Sequence, residues 1–139
     1  MLYIVAVQVN LLKIKELIRR RPITVNSDAT LHDVIKLMAE QNIGFLVVVE
    51  GSDIVGVFSE RDVIRSLAEE KNLDKKVKDI TRTDIIKLRS DRTIEEAAQV
   101  MGKHRIRHIV VVDEKDKLAG VVSVRDILQE LYSAGPATD

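Results

Sequence analysis

Two stretches of the 139-residue chain share one pattern of side chains that could do chemistry: GVFSERD, from Gly56 to Asp62, and GVVSVRD, from Gly120 to Asp126. An ionised aspartate only accepts hydrogen bonds, so Asp62 and Asp126 could each take both hydroxyls of a ribose. Arg61 and Arg125 can give charge-assisted hydrogen bonds to a phosphate. A helix opening at Ser59 or Ser123 would add free N–H groups and partial positive charge. The same spacing has a simpler use. A serine at the N-cap with a carboxylate three residues on is a capping device that needs no ligand. Duplication copies a cap as readily as a site, so these residues leave both readings open.

Other chemistry finds no foothold. GxSxG, GxxxxGK[ST] and GxGxxG are all missing, and the carboxylates are scattered rather than paired for acid/base work, so no enzyme is expected. The chain has no cysteine, and His32, His104 and His108 lack ligand spacing, so no metal site is expected either. Lys plus Arg equal Asp plus Glu at 22 each, a balance without the basic footprint of a general nucleic-acid binder. The run Arg19-Arg20-Arg21 reads as a solvated helix end. LYIVAVQV, Leu2 to Val9, is shorter than the roughly 20 residues a membrane span needs. It also lacks the flanks of a signal peptide. A cytoplasmic protein is the expectation.

The elements that must position these residues occur twice. SDATLHDVIKLMAEQNIGFLVVVE, from Ser27, overlays SDRTIEEAAQVMGKHRIRHIVVVD, from Ser90, 63 positions later. One extra residue in the second turn moves the offset to 64, after which the two SxRD stretches coincide. In each copy Thr30 with Asp33, or Thr93 with Glu96, has capping-box spacing at a helix start. Leu31, Val34, Ile35 and Met38, like Ile94, Ala97, Ala98 and Met101, then recur with helical period. Leu46 to Val49 and Ile109 to Val112 are continuous apolar runs, as in strands buried on both faces. Turns at EGSD and DEKDK lead to second strands, Ile54 to Phe58 and Leu118 to Val122, and to second helices. Ile23 to Val25 and Ile85 to Leu88 supply an earlier strand. Each copy thus reads β-α-β-β-α, an α/β (α+β) fold. About 60 residues make a marginal domain, so two copies should pack through their sheets about a pseudo-twofold axis. The core must come from Val, Ile, Leu, Ala and Met, since 45% of residues are hydrophobic and only 3% aromatic. The expected division is an extension over 1–12, repeats over 13–70 and 77–133, a charged linker over 71–76 and a tail over 134–139.

From about Ile14 to Tyr132 both copies resemble CBS (cystathionine-β-synthase-type) repeats, in PITVNSDATL, FLVVVE, HIVVVD and above all GVFSERD and GVVSVRD. Two such repeats make what the family calls a Bateman module. The resemblance implies a non-catalytic regulatory module that binds an adenine nucleotide (AMP foremost, or ADP, ATP or S-adenosylmethionine) in two clefts between the repeats. It implies no cofactor. Carried over, one cleft would combine Ser59, Arg61 and Asp62 with Asp84, Ile85, Ile86, Ile106, Arg107 and His108. The other would combine Ser123, Arg125 and Asp126 with Arg21, Pro22, Ile23, Ile43, Gly44 and Phe45. Arg107 and His108 add phosphate donors to the first, while Phe45 would pack on a base or crowd it out. A homodimer is further implied, and the expectation is that it acts on a separate effector protein, buffers a ligand or is one piece of a larger system. The rival readings are an oligomerising adaptor with vestigial clefts and, less favoured, a nucleic-acid binder.

Overall fold

The computed structural model describes residues 12–133. LYIVAVQV, with residues 1–11 of the extension, and the tail 134–139 lie outside the described residues. Two equivalent sets of elements follow one another. The first is β1 (Thr24–Asn26), α1 (Leu31–Gln41), β2 (Phe45–Glu50), β3 (Asp53–Ser59) and α2 (Glu60–Glu69). The second is β4 (Lys87–Arg89), α3 (Ile94–His104), β5 (His108–Val112), β6 (Leu118–Ser123) and α4 (Val124–Ser133). Short 3-10 turns, Ile14–Leu17 and Val77–Asp79, precede the two sets. Each set makes a three-stranded sheet, β1-β2-β3 or β4-β5-β6. The first strand runs parallel to the central one and the third antiparallel to it. The β-α-β-β-α order expected from the sequence is therefore present twice.

Local rules explain most boundaries; the strands run a residue or so beyond the expected ends, and two of them start later than expected. β1 and β4 begin at Thr24 and Lys87 rather than at Ile23 and Ile85. Apolar character there marks burial, whereas a strand needs a partner: the ladder opens with Thr24 opposite Val47 and Lys87 opposite Val110. Helix α1 opens with a full capping box, Asp33 N donating to Thr30 Oγ1 at 3.1 Å and Thr30 N to Asp33 Oδ2 at 3.0 Å. Helix α3 has only half of one. Glu96 N donates to Thr93 Oγ1 at 3.1 Å, but the longer glutamate turns to the threonine hydroxyl and to Arg92 Nε instead of the backbone. Both helices stop at a left-handed residue, Asn42 or Arg105, which turns the chain into the central strand.

Two compact units result, and they are cut differently from the repeats. One is residues 22–85; the other joins the described residues 12–21 to 86–133. In the first, Val25, Leu31, Val34, Met38, Leu46, Val48, Phe58 and Val77 form the core. In the second, Ile14 and Leu17 pack with Ile94, Ala97, Met101, Ile109, Val111, Val122 and Ile127. Ile14 and Val77, both fully buried, are thus the plugs of their units. Val77 N bonds Ala29 O at 2.7 Å, and Ile14 N bonds Arg92 O at 2.8 Å. The charged stretch 71–76 is tied down on the way: Leu73 O and Lys75 O accept from His32 N and Leu31 N, two N–H groups that helix α1 leaves open.

Candidate functional site

The cap foreseen in the two SxRD stretches is formed in both. Ser59 is extended and opens α2. Its N–H and hydroxyl donate to Asp62 Oδ2 at 2.8 and 3.0 Å, and Asp62 N returns a bond to Ser59 Oγ at 3.4 Å. At the head of α4, Ser123 N donates to Asp126 Oδ2 at 2.8 Å and Asp126 N to Ser123 Oγ at 3.1 Å. Such a cap contributes about 1 kcal/mol to its helix. It also holds each aspartate by one oxygen. Among the described residues no donor reaches Oδ1 of either, and an ionised carboxylate can accept further bonds. Capping and ligand binding can coexist at these positions.

The sheets bring more of the expected residues to the same end of each unit. Phe45 lies opposite Ser59 in the β2–β3 ladder, and Glu60 N bonds Gly44 O at 2.9 Å. Likewise His108 lies opposite Ser123, and Val124 N bonds Arg107 O at 2.9 Å. Gly44 leaves little room: a Cβ there would stand 2.9 Å from the Glu60 carboxylate carbon. Within one unit, therefore, Gly44 and Phe45 gather beside Ser59, and in the other Arg107 and His108 gather beside Ser123. Pro22, Ile23, Ile43, Asp84 and Ile85 belong to the first unit; Arg21, Ile86, Ile106, Arg125 and Asp126 belong to the second. Arg21, Arg61, Asp84, Arg107 and Arg125 are exposed. Pro22, Ile23, Ile43, Ile85, Ile86, Ile106 and His108 are half-buried.

Several residues near the aspartates escaped the sequence reading. Arg82 Nε contacts Asp62 Oδ2 at 3.3 Å, and Asp62 is only 8% exposed. Arg82 is held there by its backbone, which exchanges two hydrogen bonds with Val57, at 3.0 and 3.2 Å, while the Thr81 hydroxyl donates to Val57 O at 2.9 Å. Gly56 makes this approach possible, since a Cβ would stand 2.6 Å from Arg82 O. A glycine inside a strand pattern was the available signal, because it often marks a close backbone approach.

In the other unit a groove of about 480 Å³ borders Asp126, with Ile18, Arg19, Arg20, Val121 and Glu130 among its lining. That volume lies within the range of small-molecule sites, about 300–1,000 Å³. The basic run Arg19 to Arg21 is thus not a helix end. The 3-10 turn stops at Leu17 and the arginines follow it, exposed, with Arg19 and Arg20 lining the groove. Arg19 Nη2 stands 3.7 Å from Glu130 Oε2. Among the described residues no three His, Asp or Glu side chains are grouped to hold a metal ion, and no helix is long and apolar enough to cross a membrane.

Known proteins agree with this architecture. The family model described as CBS domain matches twice, over residues 14–69 and 77–133. An uncharacterised protein of Methanocaldococcus jannaschii is 34% identical over 113 residues, 81% of this chain, and the chain spans only 37% of that relative's length. Among solved structures, a CBS domain protein of Pyrobaculum aerophilum complexed with AMP is 32% identical, with a TM-score of 0.79. The match covers 88% of this chain and 100% of that one. The CBS domain pair of the protein MJ0100, in complex with 5-methylthioadenosine and S-adenosyl-L-methionine, is 26% identical with a TM-score of 0.78, covering 85% of this chain and 98% of that one. The two matched repeats, which together span most of its length, place this chain in the CBS domain family.

Proposed function

We propose that the chain is a non-catalytic regulatory module that binds an adenine nucleotide, AMP foremost, between its two repeats. The observation that carries this reading is the pair of pinned aspartates. Each is held by a serine cap through Oδ2 while Oδ1 stays available, which suits a ribose diol. Exposed Arg19 and Arg20 beside Asp126 supply charge for a phosphate. The AMP held by the Pyrobaculum relative supports the choice of ligand. One cleft is assigned Ser59, Arg61, Asp62, Asp84, Ile85, Ile86, Ile106, Arg107 and His108. The other is assigned Ser123, Arg125, Asp126, Arg21, Pro22, Ile23, Ile43, Gly44 and Phe45. A ligand held by both repeats would bias their arrangement by its differential affinity, and a separate effector protein would read the change. The module works as a cytoplasmic homodimer in this reading.

Calorimetric titration with AMP, ADP, ATP and S-adenosylmethionine, with GMP as control, tests it. Micromolar binding that prefers adenine is expected. Asp62→Ala and Asp126→Ala should each weaken binding in their own cleft by roughly 10- to 150-fold, the loss of a charged hydrogen-bond acceptor. No heat and no thermal shift with any compound, on ligand-free protein, would leave the aspartates as helix caps and the chain as an oligomerising adaptor.

A further inference from the structure

We propose that the two aspartates are unequal ligand sites: Arg82 is an internal counter-ion that closes the Asp62 position, so that the Asp126 position takes the nucleotide first. This rests on the adenine-binding reading above and adds an order of occupation to it.

The inequality comes from three differences between the copies, two of them substitutions. Thr81 corresponds to Ile18 at the 63-residue offset, and Arg82 to Arg19. Ser66 corresponds to Glu130 at the 64-residue offset that follows the turn. The Thr81 hydroxyl and the two Arg82 backbone bonds stitch this segment to Val57 and bring the guanidinium onto Asp62. Ile18 has no hydroxyl to give, and among the described residues no backbone bridge ties Arg19 to Val121. The helix supplies the third difference. Glu130 offers Arg19 a carboxylate one turn beyond Asp126, whereas buried Ser66 offers Arg82 none. Arg82 therefore meets Asp62, while Arg19, with its side chain 79% exposed, stays beside the groove and off Asp126. Asp62 Oδ2 already serves three donors, Ser59 N, Ser59 Oγ and Arg82 Nε, but Asp126 Oδ2 serves one. A ribose at Asp62 Oδ1 therefore meets a carboxylate whose charge Arg82 already shares.

Titration with AMP of the full chain and five variants tests the order. Wild type should show one tight site per chain, kept in Asp62→Ala and lost in Asp126→Ala. Arg82→Met, which keeps the apolar stem, should strengthen the second site roughly two- to fivefold, the scale of a partly exposed ion pair. Arg82→Gln should do the same if the Met variant melts without a cooperative transition. Glu130→Ser should weaken the tight site severalfold, because Arg19 is then released towards Asp126. Equal loss of tight binding in the two aspartate variants, or a second site unmoved by both Arg82 variants, would overturn the order while leaving nucleotide binding intact. Absence of binding in wild type would overturn the adenine reading itself and the order with it.

Discussion

The segment Thr81–Arg82 is bonded to its sheet through Val57, and among the described residues no such bond ties its counterpart Ile18–Arg19 to Val121. The glycine beneath each segment records the difference. Gly56 faces the backbone oxygen of Arg82 and the Thr81 side chain, whereas the nearest neighbours of Gly120 are side-chain carbons of Ile18. The reciprocal backbone bonds of the serine–aspartate caps one turn away are made in both units. A helix start needs its cap wherever it is copied, so that feature survives duplication. The neighbouring segment answers to no such rule and has diverged, and with it the surroundings of two otherwise equivalent carboxylates.

Substituting the glycines should give the largest effect. Gly56→Ala places a methyl 2.6 Å from a backbone oxygen that can move only by breaking the Val57 bridge. A loss of about 2–3 kcal/mol is expected. Gly120→Ala meets a flexible isoleucine at 2.8 Å and should cost about 1 kcal/mol. Urea midpoints measure both, and equal shifts would erase the distinction between the segments.

Ser59→Ala and Ser123→Ala should each cost about 1 kcal/mol through the lost cap. The first should cost more, because the Ser59 hydroxyl also donates to Asp62. The reverse order in thermal melts would show that the extra hydroxyl bond does not strengthen the first cap.

The smallest effect concerns acid. Backbone and side-chain hydrogen bonds from Thr30 hold the Asp33 carboxyl below its ordinary value of 3.8, and the backbone N–H groups of Lys117 and Lys115 do the same for Asp113. A depressed carboxylate stabilises the fold above its unfolded pKa, and that contribution is lost as pH falls through the folded value. Below about pH 4, Asp33→Asn and Asp113→Asn should both flatten the loss of stability. They report on different units, since Asp33 lies in one and Asp113 in the other. A slope unchanged in one variant only would locate the acid-sensitive unit.

Much of this architecture could be read from the residues. The 63-residue repeat, the helical period of Leu31, Val34 and Met38, and the unbroken run Leu46 to Val48 all state burial directly, and these residues are buried. The serine–aspartate caps were legible because capping depends on spacing within four residues. Arg82 on Asp62 was not legible. Its partner is 20 residues away, and its position depends on a backbone bridge that no side-chain pattern announces. Nor did the charged stretch before Val77 reveal that this valine plugs the first unit, because periodicity shows that a residue is buried without showing where. The half-formed box at Thr93 fails for a similar reason: Arg92, a neighbour outside the motif, draws Glu96 away.

The exchanged plugs also shape how the chain can be assembled. Residues 22–85 are continuous and can close on themselves as soon as they are made. The other unit must bring Ile14 to Ile94 and Ile127 across the intervening unit. Closing so long a loop costs entropy, but the cost grows only logarithmically with length, and a folded insert shortens the effective path. The continuous unit should therefore form early and serve as the clasp that lets the ends of the other meet. A cut between the sequence repeats, near residue 75, would leave each half holding the other's plug.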